Sequence, residues 1–259
     1  MFKTLTSTFN KPFEKPKWNP WVGVGYVIVI FGVSLLISSL ALSVYPLLMH
    51  WSTARANDWL NNSTGAEFIY VVIAETIVIS AVLIFMKFYK TPFRVIGLRK
   101  PKWSDPVWGF AMVVPYFIVF GLVFAVLGYL VPSLNINQKQ QLGFNNVHGG
   151  GAILMAFISL VVLPPIAEEI MVRGFLYSSF KKAIPVLWAV LATSVVFALP
   201  HVFEGGSGGL LYVAGIDTFI LSLFLIYLRE ATGGLWASMT LHAIKNGVAF
   251  MALFAFHLR

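Results

Sequence analysis

Long apolar stretches separated by short polar segments dominate the chain. These stretches lie at about residues 22–45, 68–86, 107–131, 150–180, 184–203, 209–228 and 234–256. Most are close to the roughly 20 residues that an α-helix needs to cross a bilayer. Strands with open edges would leave backbone groups unpaired in lipid, so helices are expected throughout. The pattern therefore predicts an all-α fold, a polytopic transmembrane bundle of seven to eight spans.

The composition agrees with this prediction. Hydrophobic residues make up 58% of the chain and charged residues only 11%, whereas soluble domains carry about 25% charged residues. Seven or eight spans with their loops use up the 259 residues, which leaves no room for a separate soluble domain. The chain has no cysteine, which excludes thiolate catalysis, thiolate metal sites and disulfides.

The positive charges predict an orientation in the membrane. They cluster before the first apolar run and after the second, at Lys3, Lys11, Lys15, Lys17, Lys87, Lys90, Arg94, Arg99, Lys100 and Lys102. Basic loops stay in the cytoplasm, so the N-terminus is predicted to be cytoplasmic in a multi-pass protein of a bacterial plasma membrane. The net charge of +8 is thus explained by topology, and no nucleic-acid partner is expected.

The same pattern suggests how the chain is organised. Residues 1–21 form a cytoplasmic tail, residues 22–149 form N-terminal transmembrane helices, and residues 150–256 form a catalytic core within one integral membrane domain. The segment 150–180 contains Pro164 and Pro165. Adjacent prolines either kink a helix or end it, so one kinked span and two shorter helices both remain open.

Ionisable residues inside apolar segments are the candidates for chemistry, because burying them in a membrane is costly. Three short patterns contain them. Residues 168–173 read EExxxR, residues 197–201 read FxxxH, and residues 242–246 read HxxxN. The candidate set is Glu168, Glu169, Arg173, His201, His242 and Asn246.

Helical geometry gives the spacings meaning. Glu169 and Arg173 are four residues apart, so they share a helix face and can form an ion pair. Glu168 lies about 100° around the same helix and is free to act as a general base. His242 and Asn246 also share one face. Pro200 can bend its helix so that His201 points inward.

The three motifs, in this order, resemble the CAAX-protease and bacteriocin-processing family, also called the Abi family, whose members are intramembrane glutamic endopeptidases. The resemblance covers about residues 150–250. Flanking residues agree with it: Pro164 and Pro165 before the acid pair, Gly174 after Arg173, and residues 232–236 leading towards His242.

The resemblance implies a role for each motif residue. Glu168 would activate a water with the help of His201, and His242 and Asn246 would stabilise the oxyanion of the tetrahedral intermediate. Glu169 and Arg173 would support the site. Such a mechanism requires no metal and no cofactor. The implied substrate is a small hydrophobic, membrane-associated or lipidated peptide, and the oligomeric state is left open.

Other interpretations remain at this stage. Two carboxylates and two histidines could bind a metal ion, although HExxH is absent and Arg173 would oppose a cation. Ser207 lies in a GxSG pattern similar to that of rhomboid serine proteases. The alternative from a different class is a non-proteolytic membrane scaffold or a bacteriocin self-immunity protein. Three further charged residues in apolar segments, Glu75, Asp217 and Lys245, are interpreted as interhelical partners or pore-facing groups rather than catalysts.

Overall fold

The computed structural model describes residues 14–135, 138, 144, 147–204 and 209–255. Eight helices follow one another within these residues: α1 Pro20–Leu48, α2 Thr53–Asn62, α3 Thr64–Phe88, α4 Ser104–Leu130, α5 Gly150–Ala183, α6 Val186–Val202, α7 Tyr212–Thr232 and α8 Trp236–Phe250. A short 3₁₀ turn at Phe93–Ile96 lies between α3 and α4, and a π turn at Met251–Ala255 follows α8.

The predicted fold class is confirmed: the protein is an all-α polytopic bundle. Within the described residues, α1, α3, α4, α5 and α7 are long and apolar enough to cross a membrane. Helix α6 is also apolar but shorter, and α8 is continued by its π turn. Large apolar side chains remain exposed on the outer surface, for example Ile28, Leu47 and Val114. Such a surface is stable in lipid and would not be stable in water.

Helix α2 was not among the predicted spans. It is polar, and it begins at Ser52, whose side chain accepts a hydrogen bond from a backbone N–H in the first turn. Beside it, the rings of Tyr45, Trp51 and Trp59 lie within 5.2–5.8 Å of one another. Aromatic clusters of this kind are typical of the membrane interface, so α2 is best described as an interfacial helix between two spans.

Helix α5 settles the question of the two prolines. Residues 150–183 form one continuous helical segment, and the turn at Ile158–Val162, directly before Pro164, is a π-helix. The wider turn shifts the backbone hydrogen bonds by one residue and accommodates the prolines without ending the helix. A second π-helical stretch covers Glu169–Leu176. The segment is therefore one distorted span and not two helices.

The second half of α5 forms the centre of the bundle. Residues 169–180 are all buried, beneath α1, α3, α6 and α7. Trp18, just before α1, stacks on Phe175 with 4.6 Å between ring centroids and donates a hydrogen bond to Ser179 at 2.9 Å. Gly23 on α1 allows this close approach, because a Cβ atom there would lie 2.6 Å from the indole nitrogen of Trp18.

One end of the bundle is tied together by hydrogen bonds. The guanidinium of Arg99 pairs with Asp105 at 2.6 Å, and the backbone carbonyl of Arg99 accepts a 2.6 Å bond from the Trp236 indole. Lys181 pairs with Glu230 at 2.7 Å. These contacts link the loop before α4 to the start of α8 and link α5 to α7. This end, which carries the basic loops, is called the basic end below.

The contact at Gly23 gives a test of the packing between α1 and α5. Gly23→Ala places a methyl group against Trp18 and Ser179, and overpacking of this kind typically costs about 1–3 kcal/mol. We expect a lower thermal unfolding temperature in detergent, measured by tryptophan fluorescence. Gly25→Ala is the matched control, because a Cβ atom there meets nothing within 4 Å. Equal stability of the two variants would contradict the close packing.

Candidate active site

A cavity of about 360 Å³ lies among α5, α6, α7 and α8. The four predicted catalytic residues, Glu168, His201, His242 and Asn246, all line it. They come from three different helices, so the bundle brings together groups that are up to 78 positions apart in the sequence. The two predicted supporting residues, Glu169 and Arg173, lie fully buried beside it.

The Glu169 carboxylate contacts both Arg173 on its own helix and His242 on α8. Its Oε1 accepts a hydrogen bond from Arg173 Nη1 at 3.0 Å and lies 3.1 Å from His242 Nδ1. The predicted pairing of Glu169 with Arg173 is therefore present. The contact between Glu169 and His242 was not predicted, because no sequence pattern states which way the helix of His242 faces.

The sequence did not predict a role for Phe197. The guanidinium of Arg173 lies 3.8 Å above the centre of its ring, an attractive cation–π geometry. The ring also contacts the imidazoles of His201 and His242, with centroids 5.1 and 6.0 Å apart. Phe197 thereby packs α6 against both the α5 ion pair and the α8 histidine. The FxxxH pattern, which begins at Phe197, was the sequence signal that this residue belongs to the site.

His242 bridges the two adjacent acids. With Nδ1–H donating to the Glu169 carboxylate, Nε2 is left facing Glu168 Oε2 at 3.6 Å. A neutral imidazole in this tautomer carries a lone pair at Nε2 and can accept a proton there. It can donate from Nε2 only after that nitrogen has been protonated.

Glu168 and Glu169 differ sharply in their surroundings. The side chain of Glu168 is 24% exposed and faces the cavity, whereas that of Glu169 is completely buried. One residue of helical rotation is enough to place them on different faces. Glu168 is therefore the acid that a water molecule in the cavity can reach.

His201 reaches the cavity from α6. Its Nδ1 lies 2.9 Å from the backbone carbonyl of Phe197. Because a carbonyl only accepts, Nδ1 must carry the proton, and Nε2 of the neutral ring is an acceptor. Nε2 lies 4.0 Å from Glu204, which also lines the cavity. Pro200, which was predicted to bend this helix, lies in its last turn.

Asn246 binds a backbone carbonyl of α5 that has no backbone N–H to pair with. The carbonyl of Leu160 would normally bond to the N–H of residue 164, or of residue 165 in a π turn. Both positions are proline and have no N–H. The Asn246 side chain fills the gap by donating to that carbonyl at 3.0 Å. One hydrogen of its Nδ2 is used in this way, and the amide group is fixed at the cavity wall.

Two of the other charged residues in apolar segments, Asp217 and Lys245, pair with each other between helices. Lys245 Nζ lies 3.2 Å from Asp217 Oδ2, which joins α8 to α7. The Tyr116 hydroxyl on α4 donates to the other oxygen of Asp217. Glu75 is on α3, which packs against the part of α5 that ends at Glu168.

The structure bears on one of the two alternative protease interpretations. No group of three or more His, Asp or Glu side chains suited to a metal ion is found in the described parts of the chain. Ser207 lies outside the described residues.

Fold and site together define a multi-pass membrane protein that encloses a carboxylate–imidazole site among its C-terminal helices. Residues 150–248 match the family model described as type II CAAX prenyl endopeptidase Rce1-like. This match confirms the resemblance to the CAAX-protease family over residues 150–248. Searches of curated proteins and of solved structures gave no match.

The bond from Asn246 to Leu160 can be tested with a double-mutant cycle. Asn246→Ala leaves the Leu160 carbonyl without its donor, which should cost about 1 kcal/mol of stability in a membrane protein. Pro164→Ala restores the missing N–H, so Asn246→Ala should cost clearly less in that background. Unfolding by SDS titration, followed by tryptophan fluorescence, measures both losses.

The control for this cycle is Pro46→Ala. Pro46 is also inside a helix but lies on α1, so the cost of Asn246→Ala should be unchanged there. The same cost in all three backgrounds would show that the prolines do not create the binding partner of Asn246.

Proposed function

We propose that the chain is an intramembrane glutamic endopeptidase that hydrolyses a peptide bond with a glutamate-activated water and without a metal ion. The observation that supports this best is the separation of the two acids. Glu168 faces the cavity together with His201, His242 and Asn246, whereas Glu169 is buried and paired. A base, an acceptor and two donor groups around one cavity are sufficient for amide hydrolysis.

The first step is attack by water on the peptide carbonyl. Glu168 takes a proton from a water that Nε2 of His201 helps to orient, and the resulting hydroxide bonds to the carbonyl carbon. The C=O π electrons move to the oxygen and form an oxyanion. Both Glu168 and His201 line the cavity, so a water between them can reach either group.

The oxyanion is stabilised by His242 and Asn246. The proton taken by Glu168 passes to His242 Nε2, 3.6 Å away, and Nε2–H then donates to the oxyanion. The imidazolium formed is neutralised by the Glu169 carboxylate at Nδ1. Asn246 offers the second hydrogen of its Nδ2 from the same wall of the cavity. Preorganised donors of this kind are usually a large part of enzymatic rate enhancement.

The last step breaks the C–N bond. The oxyanion re-forms the carbonyl, and the proton held at His242 returns through Glu168 to the leaving nitrogen. The products are a carboxylic acid and an amine, and the site regains its starting protonation state. No covalent intermediate with the enzyme forms.

The dimensions of the site favour a short peptide segment as substrate. The cavity is near the lower limit of the roughly 300–1,000 Å³ common for small-molecule sites, so it admits an extended segment and not a folded domain. A hydrophobic or lipidated part of the substrate would contact the apolar outer surface of the bundle, where large side chains such as Leu199 and Tyr212 are exposed.

The proposed cellular setting is a bacterial plasma membrane with the N-terminus in the cytoplasm. Its support is the concentration of Lys and Arg in the N-terminal tail and between α3 and α4. Within the described residues, no contact specifically favours the second assignment, as a scaffold or immunity protein.

The decisive comparison is Glu168→Gln against Glu169→Gln. Glu168→Gln keeps size and hydrogen bonding but removes the base, so cleavage should fall by about 10²-fold or more with stability unchanged. Glu169→Gln breaks a buried ion pair and should lower stability as well as cleavage. Cleavage of a peptide library by the protein in proteoliposomes is analysed by mass spectrometry, alongside thermal unfolding.

Several outcomes would reject parts of the proposal. Undiminished cleavage by Glu168→Gln would exclude the glutamate mechanism. Cleavage abolished by exhaustive chelation and restored by a metal would favour a metalloprotease. Loss of cleavage in Ser207→Ala would favour a serine protease. A folded wild-type protein that cleaves no library member would favour the scaffold.

A further inference from the structure

The catalytic cavity extends from the middle of the bundle away from the basic loops. The last turn of α3 carries Lys87, and the segment between α3 and α4 carries five Lys and Arg residues, at Lys90, Arg94, Arg99, Lys100 and Lys102. Lys181, Lys182 and Arg229 reach the same end. At the other end, the segments joining α1 to α3, α4 to α5 and α6 to α7 contain only Arg55 and Lys139. The positive-inside rule makes the basic end cytoplasmic.

Packed side chains close the cavity on the side that faces the basic end. Beyond Glu168, residues 169–180 of α5 are all buried, so tightly packed side chains fill the space between the cavity and that end. Arg229 is nearly buried and donates to the carbonyl of Val95 at 3.2 Å. Together with the pair of Arg99 and Asp105, this bond fastens the basic loop over the closed end.

The cavity continues towards the other end. On α8, which starts at the basic end, the cavity-lining residues His242, Asn246 and Ala249 lie on successive turns away from that end. On α6, His201 lies about 22 Å beyond Val186 at 1.5 Å per residue, in a hydrocarbon layer about 30 Å thick. Glu204 follows at the rim, with 36% of its side chain exposed.

From this geometry we infer that water and substrate reach Glu168 from the non-cytoplasmic face. This inference concerns the entry of a peptide substrate, so it rests on the proposed peptidase function. The peptide cleaved is then an exported peptide or the outward-facing segment of a membrane protein. A carboxyl-terminal segment that remains in the cytoplasm would meet the closed end of the bundle.

The natural absence of cysteine makes this inference directly testable. Single cysteines are placed at Ala249 on the cavity wall, at Glu204 on the rim and at Lys100 in the basic loop. Each full-length variant is labelled with a membrane-impermeant maleimide in right-side-out and in inside-out membrane vesicles. Leu199→Cys is the matched control on α6, because Leu199 is exposed on the apolar outer surface and thiols in lipid react poorly.

We expect Ala249→Cys and Glu204→Cys to be labelled in right-side-out vesicles and not in inside-out vesicles. Lys100→Cys should show the reverse pattern, and Leu199→Cys should remain unlabelled in both. Labelling of Ala249→Cys from the same side as Lys100→Cys would overturn the inference. The inference would also be overturned if Glu204→Cys were labelled but Ala249→Cys were labelled from neither side.

A second measurement separates this inference from the proposed function. Labelling needs no cleavage, so a protein that cleaves no peptide can still show the expected pattern, and only the peptidase proposal would then fail. With active protein in proteoliposomes of one orientation, a peptide supplied at the face of Glu204 should be cleaved. The same peptide supplied only at the face of Lys100 should remain intact. Equal cleavage from both faces would overturn the access route.

Discussion

The buried carboxylate of Glu169 holds the C-terminal half of this protein together. A carboxylate at this depth in a membrane protein is stable only when other groups replace its hydration. Arg173 on the next turn of α5 and His242 on α8 contact one of its oxygens, Oε1, at 3.0 and 3.1 Å, and the Arg173 guanidinium lies over the ring of Phe197 on α6. One charge thereby fixes the relative positions of three helices, and the groups that face the cavity are set by the same contacts.

The distorted backbone of α5 is the second determinant of the site. A regular helix satisfies its own backbone groups, which leaves nothing for neighbouring helices to bind. Pro164 and Pro165 release the carbonyl of Leu160, and Asn246 binds it. The π-helical turn that precedes these prolines keeps the segment continuous across the bundle. The structure thus uses an unpaired backbone carbonyl of α5 as an anchor for a side chain on α8.

The two ends of the bundle differ in structure. The basic end is closed by ion pairs and by the fully buried second half of α5. The other end carries the polar rim of the cavity at Glu204 and the interfacial helix α2. On the orientation inferred from the positive-inside rule, the charges that orient the chain in the membrane would also determine which compartment the cavity faces.

Much of the architecture followed from the sequence alone. Hydropathy identified the transmembrane helices and the all-α bundle, because apolar segments in lipid must form helices, and helical spacing identified Glu169 and Arg173 as partners. The short polar helix α2 was missed, since it lies outside the apolar runs. Family resemblance selected the residues that line the cavity, and helical rotation separated Glu168 from Glu169. These inferences depend on local spacing or on composition, which the sequence contains directly.

Only the tertiary structure decided how the helices face one another. The contacts of His242 with Glu169, of Arg173 with Phe197 and of Asn246 with Leu160 join positions far apart in the chain. Periodicity gives the face of each helix but not the rotation that its neighbours select. The same limit applies to the side from which the cavity opens, because that depends on which gaps between helices are filled by side chains. Such packing is a property of the whole bundle.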